Sequence, residues 1–343
     1  MRRVAVYTPI DDETLAPMLG IYEGLGPLVR FEGVAAGSIN STFRVETKER
    51  VLYLRINEGK PFDALVYEKN LLEHLAQHSD DLDGVTTPRI VKNSIGGWFF
   101  PIVPGKHAML FEELIGRELG IFEVEPEHAR QVGAFLARAH GALASFDEER
   151  ANPFGVRVVQ GWLAELATNG VLPDVVPRLT ATVDEVARPL AEARARGVIH
   201  GDLFINNTKW RRGQLHAVFD WEMAGDDAHV VDLAVTLLAW TWRREAHDGE
   251  PALNAALGRA LLHGYASVAP LDDAARAALY PAARFAAVRF AVTRIRDFVV
   301  GSERASDDAR TYLDYREYVA RLDALDAMGA GGFAALLSEE TTP

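Results

Sequence analysis

The sequence predicts an α+β, two-lobed protein, with a small β-rich N-terminal lobe ahead of a larger α-rich C-terminal lobe. Three observations carry this. Residues 28–57 alternate apolar and polar side chains at period two. From about Gly116 onward, apolar residues instead recur three and four apart. Within that helical half, Val198-Ile199 and Val218-Phe219 each run into a short polar segment containing an acid.

The N-terminal lobe begins with three strand-like runs, Leu28–Val34, Thr42–Glu46 and Arg50–Ile56, separated by Gly, Asn and Ser. Residues 62–78 read as a helix, because Leu65, Lys69, Leu72 and Ala76 share one face, as do Leu71 and Leu75. Trp98–Val103 and Ala108–Phe111 read as two further strands around a Pro104-Gly105-Lys106 turn. Phe111–Leu114 would join the lobes. The division is therefore residues 1–111, a hinge at 112–116, and residues 117–343. In the second lobe, Val132, Phe135, Leu136 and Ala139 form an apolar helical stripe. Residues 184–195 are Ala-rich and end before Gly197, and residues 252–268 and 273–300 read as further helices. A cleft between two such lobes is the expected place for a ligand.

Composition narrows the function. The chain has 343 residues with 36 basic and 49 acidic side chains, a net charge of −13. No basic face for nucleic acid or an anionic membrane is expected from that balance. With no cysteine, disulfides, thiolate zinc sites and iron–sulfur clusters are excluded. No targeting segment is recognisable and the most apolar stretch, Leu233–Trp242, is too short to span a bilayer. The expected location is the cytoplasm. Oligomeric state is not legible.

The chemistry concentrates in His200-Gly201-Asp202, with Asn207 five residues beyond Asp202 and Asp220 thirteen beyond Asn207. A strand, a turn and a second strand fit between Thr208 and Val218, so two carboxylates and a carboxamide would converge from neighbouring loops. Phosphoryl transfer from ATP needs such a set: one carboxylate to orient the attacking hydroxyl and accept its proton, and hard oxygen ligands for Mg²⁺. The absence of a G-x-x-x-x-G-K-[ST] segment argues against a P-loop NTPase.

His-Gly-Asp, four residues, Asn, and then an Asp ending the next strand resembles the aminoglycoside phosphotransferase-like kinases, and the resemblance implies their protein-kinase-like fold. It makes Asp202 the catalytic acid/base position, Asn207 and Asp220 the Mg²⁺ ligands, and His200 a structural support. Within that group the chain is most similar to bacterial homoserine kinases, through Leu203-Phe204, Asp232-Leu233-Ala234, Arg289-Phe290, Thr293-Arg294 and the segment Tyr312–Tyr318. Asn206 stands where those enzymes usually carry Asp, and Trp221-Glu222 replaces an aromatic pair. The resemblance implies ATP-dependent phosphorylation of a small-molecule hydroxyl, favouring L-homoserine and hence threonine biosynthesis. Rival readings are a related kinase acting on an aminoglycoside, choline or a sugar, and a nucleotide-binding regulator without catalysis. Asp202, Asn207 and Asp220 together argue against the last.

On the nucleotide side, Arg55 on the third strand is the candidate cation for the phosphates, held by Glu68 on the following helix. The loop 36–42, with Ser38 and Asn40, lies where a phosphate-covering loop belongs, and Glu112 and Leu114 on the connector are candidates for adenine. For an acceptor carboxylate, the helix at 273–300 offers Arg289 and Arg294. Five residues apart, they do not share a face, so one would reach the substrate, with Arg294 favoured, while the other holds an acid such as Asp232. Trp240 is a further acceptor-site candidate. His74 and His78 read as a solvated helix face.

Overall fold

The computed structural model describes residues 8–34, 40–243, 252–300 and 314–338. Contacts divide the chain into one compact unit of residues 1–79 and 86–116 and a second of 80–85 and 117–343.

The first unit is a five-stranded antiparallel sheet in the order β1-β2-β3-β5-β4, from β1 (Leu28–Gly33), β2 (Ser41–Thr47), β3 (Val51–Ile56), β4 (Phe100–Val103) and β5 (Lys106–Glu112). Period-two alternation sorts its two faces. Phe43, Val45, Leu52, Leu54, Ile56, Ala108 and Leu110 all point to one side, where Leu15, Met18 and Leu19 of helix α1 (Asp12–Leu19) complete the core. Helix α1 is a structure that period-based reading missed. It is only eight residues long, and its clearest signal is the cap: Asp11 accepts a hydrogen bond from the Thr14 amide at 2.9 Å. Arg55, between Leu54 and Ile56, necessarily lies on the opposite face. Helix α2 (Phe62–Gln77) buries Leu65, Tyr67, Glu68, Leu71, Leu72 and Leu75. Glu68 thus occupies a position on the buried stripe that would otherwise take an apolar residue, which obliges it to find a charged partner.

The second unit contains helices α3 (Pro126–Ala142), α4 (Val156–Thr168), α5 (Val176–Ala191), α6 (His229–Thr241), α7 (Ala255–Ala266), α8 (Asp273–Arg294) and α9 (Tyr315–Leu337). Among the described residues three small antiparallel ladders interrupt them, one of them only the pairing of Trp242–Arg243 with Ala252–Leu253. Strand β6 (Arg196–Ile199) pairs with β9 (Gly225–Ala228), and β7 (Thr208–Arg211) pairs with β8 (Gln214–Val218). These last two ladders are nested: Ile199 faces Gly225 and Thr208 faces Val218. Segments 200–207 and 219–224 are therefore clamped at both ends and run side by side.

Several boundaries differ from the sequence reading. The helix expected over 184–195 begins earlier, at Val176, and stops at Ala191, leaving Arg196 to start a strand. The helix expected over 273–300 is α-helical to Arg294 and continues as a π-helical turn, Ile295–Val300. The segment 252–268 opens with a two-residue strand, and Asn254 then caps α7 by accepting from the Leu257 amide at 3.1 Å. Ser38, with the rest of residues 35–39, lies outside the described residues, as do Tyr312 and Leu313. No helix among the described residues is long and apolar enough to cross a membrane.

Candidate active site

The segment 200–207 is held from beneath by one buried carboxylate. Asp232 lies on α6, a helix buried on all sides, and is fully inaccessible. Its two oxygens accept from the backbone amides of His200 (2.7 Å) and Gly201 (2.8 Å), and one also meets His140 Nε2 at 3.0 Å. Burial alone would raise the Asp232 carboxyl. The hydrogen bond and charge of His140, with help from His200 and the Gly201 amide, outweigh that and hold it below the usual carboxylate range. Gly201 takes a left-handed conformation (φ 74°), and a Cβ there would lie 3.3 Å from the Met223 carbonyl oxygen. Only glycine lets the chain turn there without strain.

His200 is buried and accepts the Asp202 amide on Nδ1 (3.2 Å). Its proton therefore sits on Nε2, which donates to the Phe219 carbonyl at 3.1 Å. Desolvation pushes this imidazole below its ordinary pKa, despite the nearby Asp232 and Asp202. It is a neutral strut between the two segments. The Phe219 amide in turn donates to the Asn207 carbonyl at 3.0 Å.

These bonds bring Asp202, Asn207 and Asp220 to one end of the β7–β8 hairpin. The Asn207 amide nitrogen donates to the Asp202 carbonyl at 2.8 Å and lies 3.4 Å from Asp202 Oδ2. With the nitrogen engaged, Oδ1 is the atom of Asn207 that can ligate a cation. Asp220 is partly exposed and left-handed (φ 69°, ψ 55°), a conformation that costs a non-glycine residue about 1–3 kcal/mol and concentrates at functional sites. Among the described residues no group of three or more His, Asp and Glu converges as a metal site. One carboxylate and one amide oxygen fit a cation that takes its remaining ligands from phosphate and water.

The other candidates divide. Arg55 Nη2 meets Glu68 Oε2 at 2.7 Å, with Glu68 almost wholly buried and the guanidinium stacked over Phe111 at 4.9 Å. Asn40 precedes β2 and is partly buried. Glu112 ends β5, exposed and 3.6 Å from Arg50, and Leu114 is partly buried. Arg289 is buried beside Asp202, Nη1 to Oδ1 3.5 Å.

Two acceptor-site expectations are corrected. Arg294 is engaged elsewhere: its Nη1 donates to Glu317 (2.7 Å) and to the Asp314 carbonyl (2.9 Å), and its guanidinium packs 4.3 Å over Tyr318. Neither arginine holds Asp232, whose hydrogen bonds come from His140 and the loop backbone. Trp240 is 1% exposed and donates its indole N–H to the Leu203 carbonyl at 3.0 Å, so it supports the loop from inside and cannot touch a substrate. His140 is a functional residue that the sequence analysis does not single out. The signal for the Asp232–His140 pair was present, since Asp232 is the lone charge in the run from Val230 to Thr241.

Residues 30–271 match the family described as the phosphotransferase enzyme family, APH. The homoserine kinase of Gluconacetobacter diazotrophicus is 34% identical over 318 residues, covering 91% of this chain and 94% of that protein. That of a Caulobacter species is 34% identical over 337 residues, covering 96% and 100%. Among solved structures, an amicoumacin kinase in complex with AMP-PNP, Ca²⁺ and Ami is similar with a TM-score of 0.66 at 15% identity, over 94% of this chain and 95% of that one. The last likeness concerns the fold alone. The chain thus belongs to the phosphotransferase enzyme family, as an ATP-dependent kinase of the alcohol-phosphorylating class with a protein-kinase-like α+β fold.

Proposed function

We propose that the protein transfers the γ-phosphoryl group of ATP to the side-chain hydroxyl of L-homoserine, giving O-phosphohomoserine for threonine biosynthesis. The observation that supports this acceptor is end-to-end likeness to relatives named homoserine kinase, at 34% identity over more than nine-tenths of the chain. The fold alone would not select it, since a protein of the same fold is a kinase for amicoumacin.

In this reading Asp202 orients the acceptor hydroxyl and takes its proton. The hydroxyl oxygen forms its bond to the γ-phosphorus as the bond to the bridging oxygen of ADP breaks. Asn207 Oδ1 and the Asp220 carboxylate hold Mg²⁺, which when bound supplies positive charge against the phosphates. Arg55, fixed by Glu68, binds the α- and β-phosphates, and a rigid guanidinium suits that task. Asn40 lies over the phosphates, and the chain at Glu112 and Leu114 receives the adenine.

A panel of acceptors tests the reading: ATP consumption with L-homoserine, choline, a sugar and an aminoglycoside, each with and without Mg²⁺. Homoserine should give the highest kcat/KM, and only with Mg²⁺. Preference for another member of the panel would overturn the acceptor.

A further inference from the structure

Arg289 is the most deeply buried arginine among the described residues. It projects from α8 into the unit's interior with its side chain only 4% exposed. The guanidinium is sandwiched, 3.9 Å from the centre of the Phe290 ring and 4.4 Å from that of Phe154, and Nη2 contacts Met223 Sδ at 3.3 Å. These rings fix its plane. The remaining arm, Nη1, lies 3.5 Å from Asp202 Oδ1, within reach of charge attraction but too far for a good hydrogen bond, and it has no hydrogen-bond acceptor. A buried donor left without an acceptor costs about 1–3 kcal/mol, more when charged.

A rigid, dry, incompletely bonded guanidinium wants a planar anion, and a carboxylate matches its fork. An amino alcohol would bring only a second positive charge to the same place. The spacing also limits size. If the hydroxyl sits on Asp202 while the anion sits on an arm 3.5 Å away, only a few bonds can separate the two groups. We infer that Arg289 is the specificity-determining residue of the acceptor site, receiving the carboxylate of a short hydroxy amino acid whose hydroxyl lies on Asp202. The inference rests on the reading of Asp202 as the base, and it makes the carboxylate, rather than the amino group, the feature by which the acceptor is chosen.

The test compares L-homoserine with 3-amino-1-propanol, the same molecule without its carboxylate, in the wild type, Arg289→Leu and Arg289→Lys. In Arg289→Leu the homoserine KM should rise at least about tenfold, the preference over 3-amino-1-propanol should shrink by the same factor, and the ATP KM should hold. Arg289→Lys, which keeps the charge but loses the fork, should fall between. An equal loss on both acceptors, or a raised ATP KM, would mean that Arg289 serves the phosphates or only the packing, and would overturn the inference. Should Arg289→Leu fail to fold, the wild type decides. L-2-Aminobutyrate, which has the carboxylate but no hydroxyl, should inhibit at least about tenfold more tightly than propylamine, and equal inhibition would overturn the inference. A wild type that ignores homoserine but phosphorylates another short hydroxy acid in an Arg289-dependent way would overturn the proposed acceptor and support the inference. A wild type that prefers carboxylate-free alcohols would overturn both.

Discussion

At the scale of single residues, three polar groups that share one hairpin end have different work in the proposed function. In that proposed function Asp202 acts on the acceptor, so Asp202→Asn should lower kcat by about 10²–10⁴-fold while nucleotide affinity, measured by calorimetry, stays near wild type. Near-normal turnover in a folded variant would remove Asp202 from the base role. As the proposed cation ligands, Asp220 would contribute a full charge and Asn207 only a dipole. Asp220→Ala should abolish the Mg²⁺ dependence of ATP binding and Asn207→Ala should weaken it less, whereas an unchanged dependence in Asp220→Ala would contradict the assignment. All three were legible in the sequence as candidates because the motif is local: the twenty-one residues from His200 to Asp220 carry it, and the intervening hairpin is forced by strand and turn composition. The Arg55–Glu68 pair was legible for a similar reason, being a strand and the next helix. The sequence favours Arg294 over Arg289, the reverse of the order their side-chain partners support. What separates them is Glu317 and the Asp314 carbonyl on one side and Asp202 on the other, and neither meeting is visible from spacing along α8.

At the scale of elements, the catalytic segments hang from α6, and α6 from its neighbours. His140 of α3 reaches Asp232, and its other ring nitrogen meets the Tyr265 hydroxyl of α7 at 2.9 Å. That network needs α3 and α7 to approach closely, and two glycines permit it. A Cβ at Gly133 would lie 2.0 Å from the Leu261 carbonyl oxygen, and one at Gly264 would lie 1.9 Å from that of Arg130. Those are backbone atoms, so no side chain can give way. Gly264→Ala should force the helices apart, cost at least about 1–3 kcal/mol in urea unfolding and lower kcat through the loosened Asp232 network. Wild-type stability in Gly264→Ala would show that the crossing is not tight. The element inventory was legible where periods were long and apolar, as in α2, α3 and α8. It failed where length or composition gave no period. Helix α1 has eight residues, and β9 reads Gly-Asp-Asp-Ala, a sequence with no strand propensity that is extended only because it pairs with β6.

At the scale of the whole molecule, buried titratable groups tie stability to pH. Burial lowers His229, stacked 4.0 Å from His140, to about 3. Between about pH 6.5 and 3 the unfolded chain binds a proton that the folded chain refuses, so this stabilisation is complete above pH 6.5 and fades as the pH falls. Asp232, held below its usual range, works in the same direction at lower pH: its contribution is present above about pH 4 and is lost below. From pH 7 to 5 the His229 effect alone is worth about 2 kcal/mol. His229→Phe, which keeps an aromatic ring against His140, should therefore flatten the fall in urea midpoint over that range, and parallel curves for variant and wild type would contradict the burial argument. The α+β class and the order of its β-rich and α-rich parts were legible from the change in hydrophobic period, and the enzyme class from one motif. The acceptor was not, because it depends on which side chains the helices of the second unit turn toward Asp202. The most direct measurement of the central claim is ³¹P NMR of the wild type with ATP, Mg²⁺ and L-homoserine. Loss of the γ-phosphate resonance and growth of a phosphomonoester signal coupled to the homoserine side-chain methylene are expected, both absent in Asp202→Asn. Conversion of ATP to inorganic phosphate alone, or no consumption of ATP under conditions where another alcohol is phosphorylated, would contradict it.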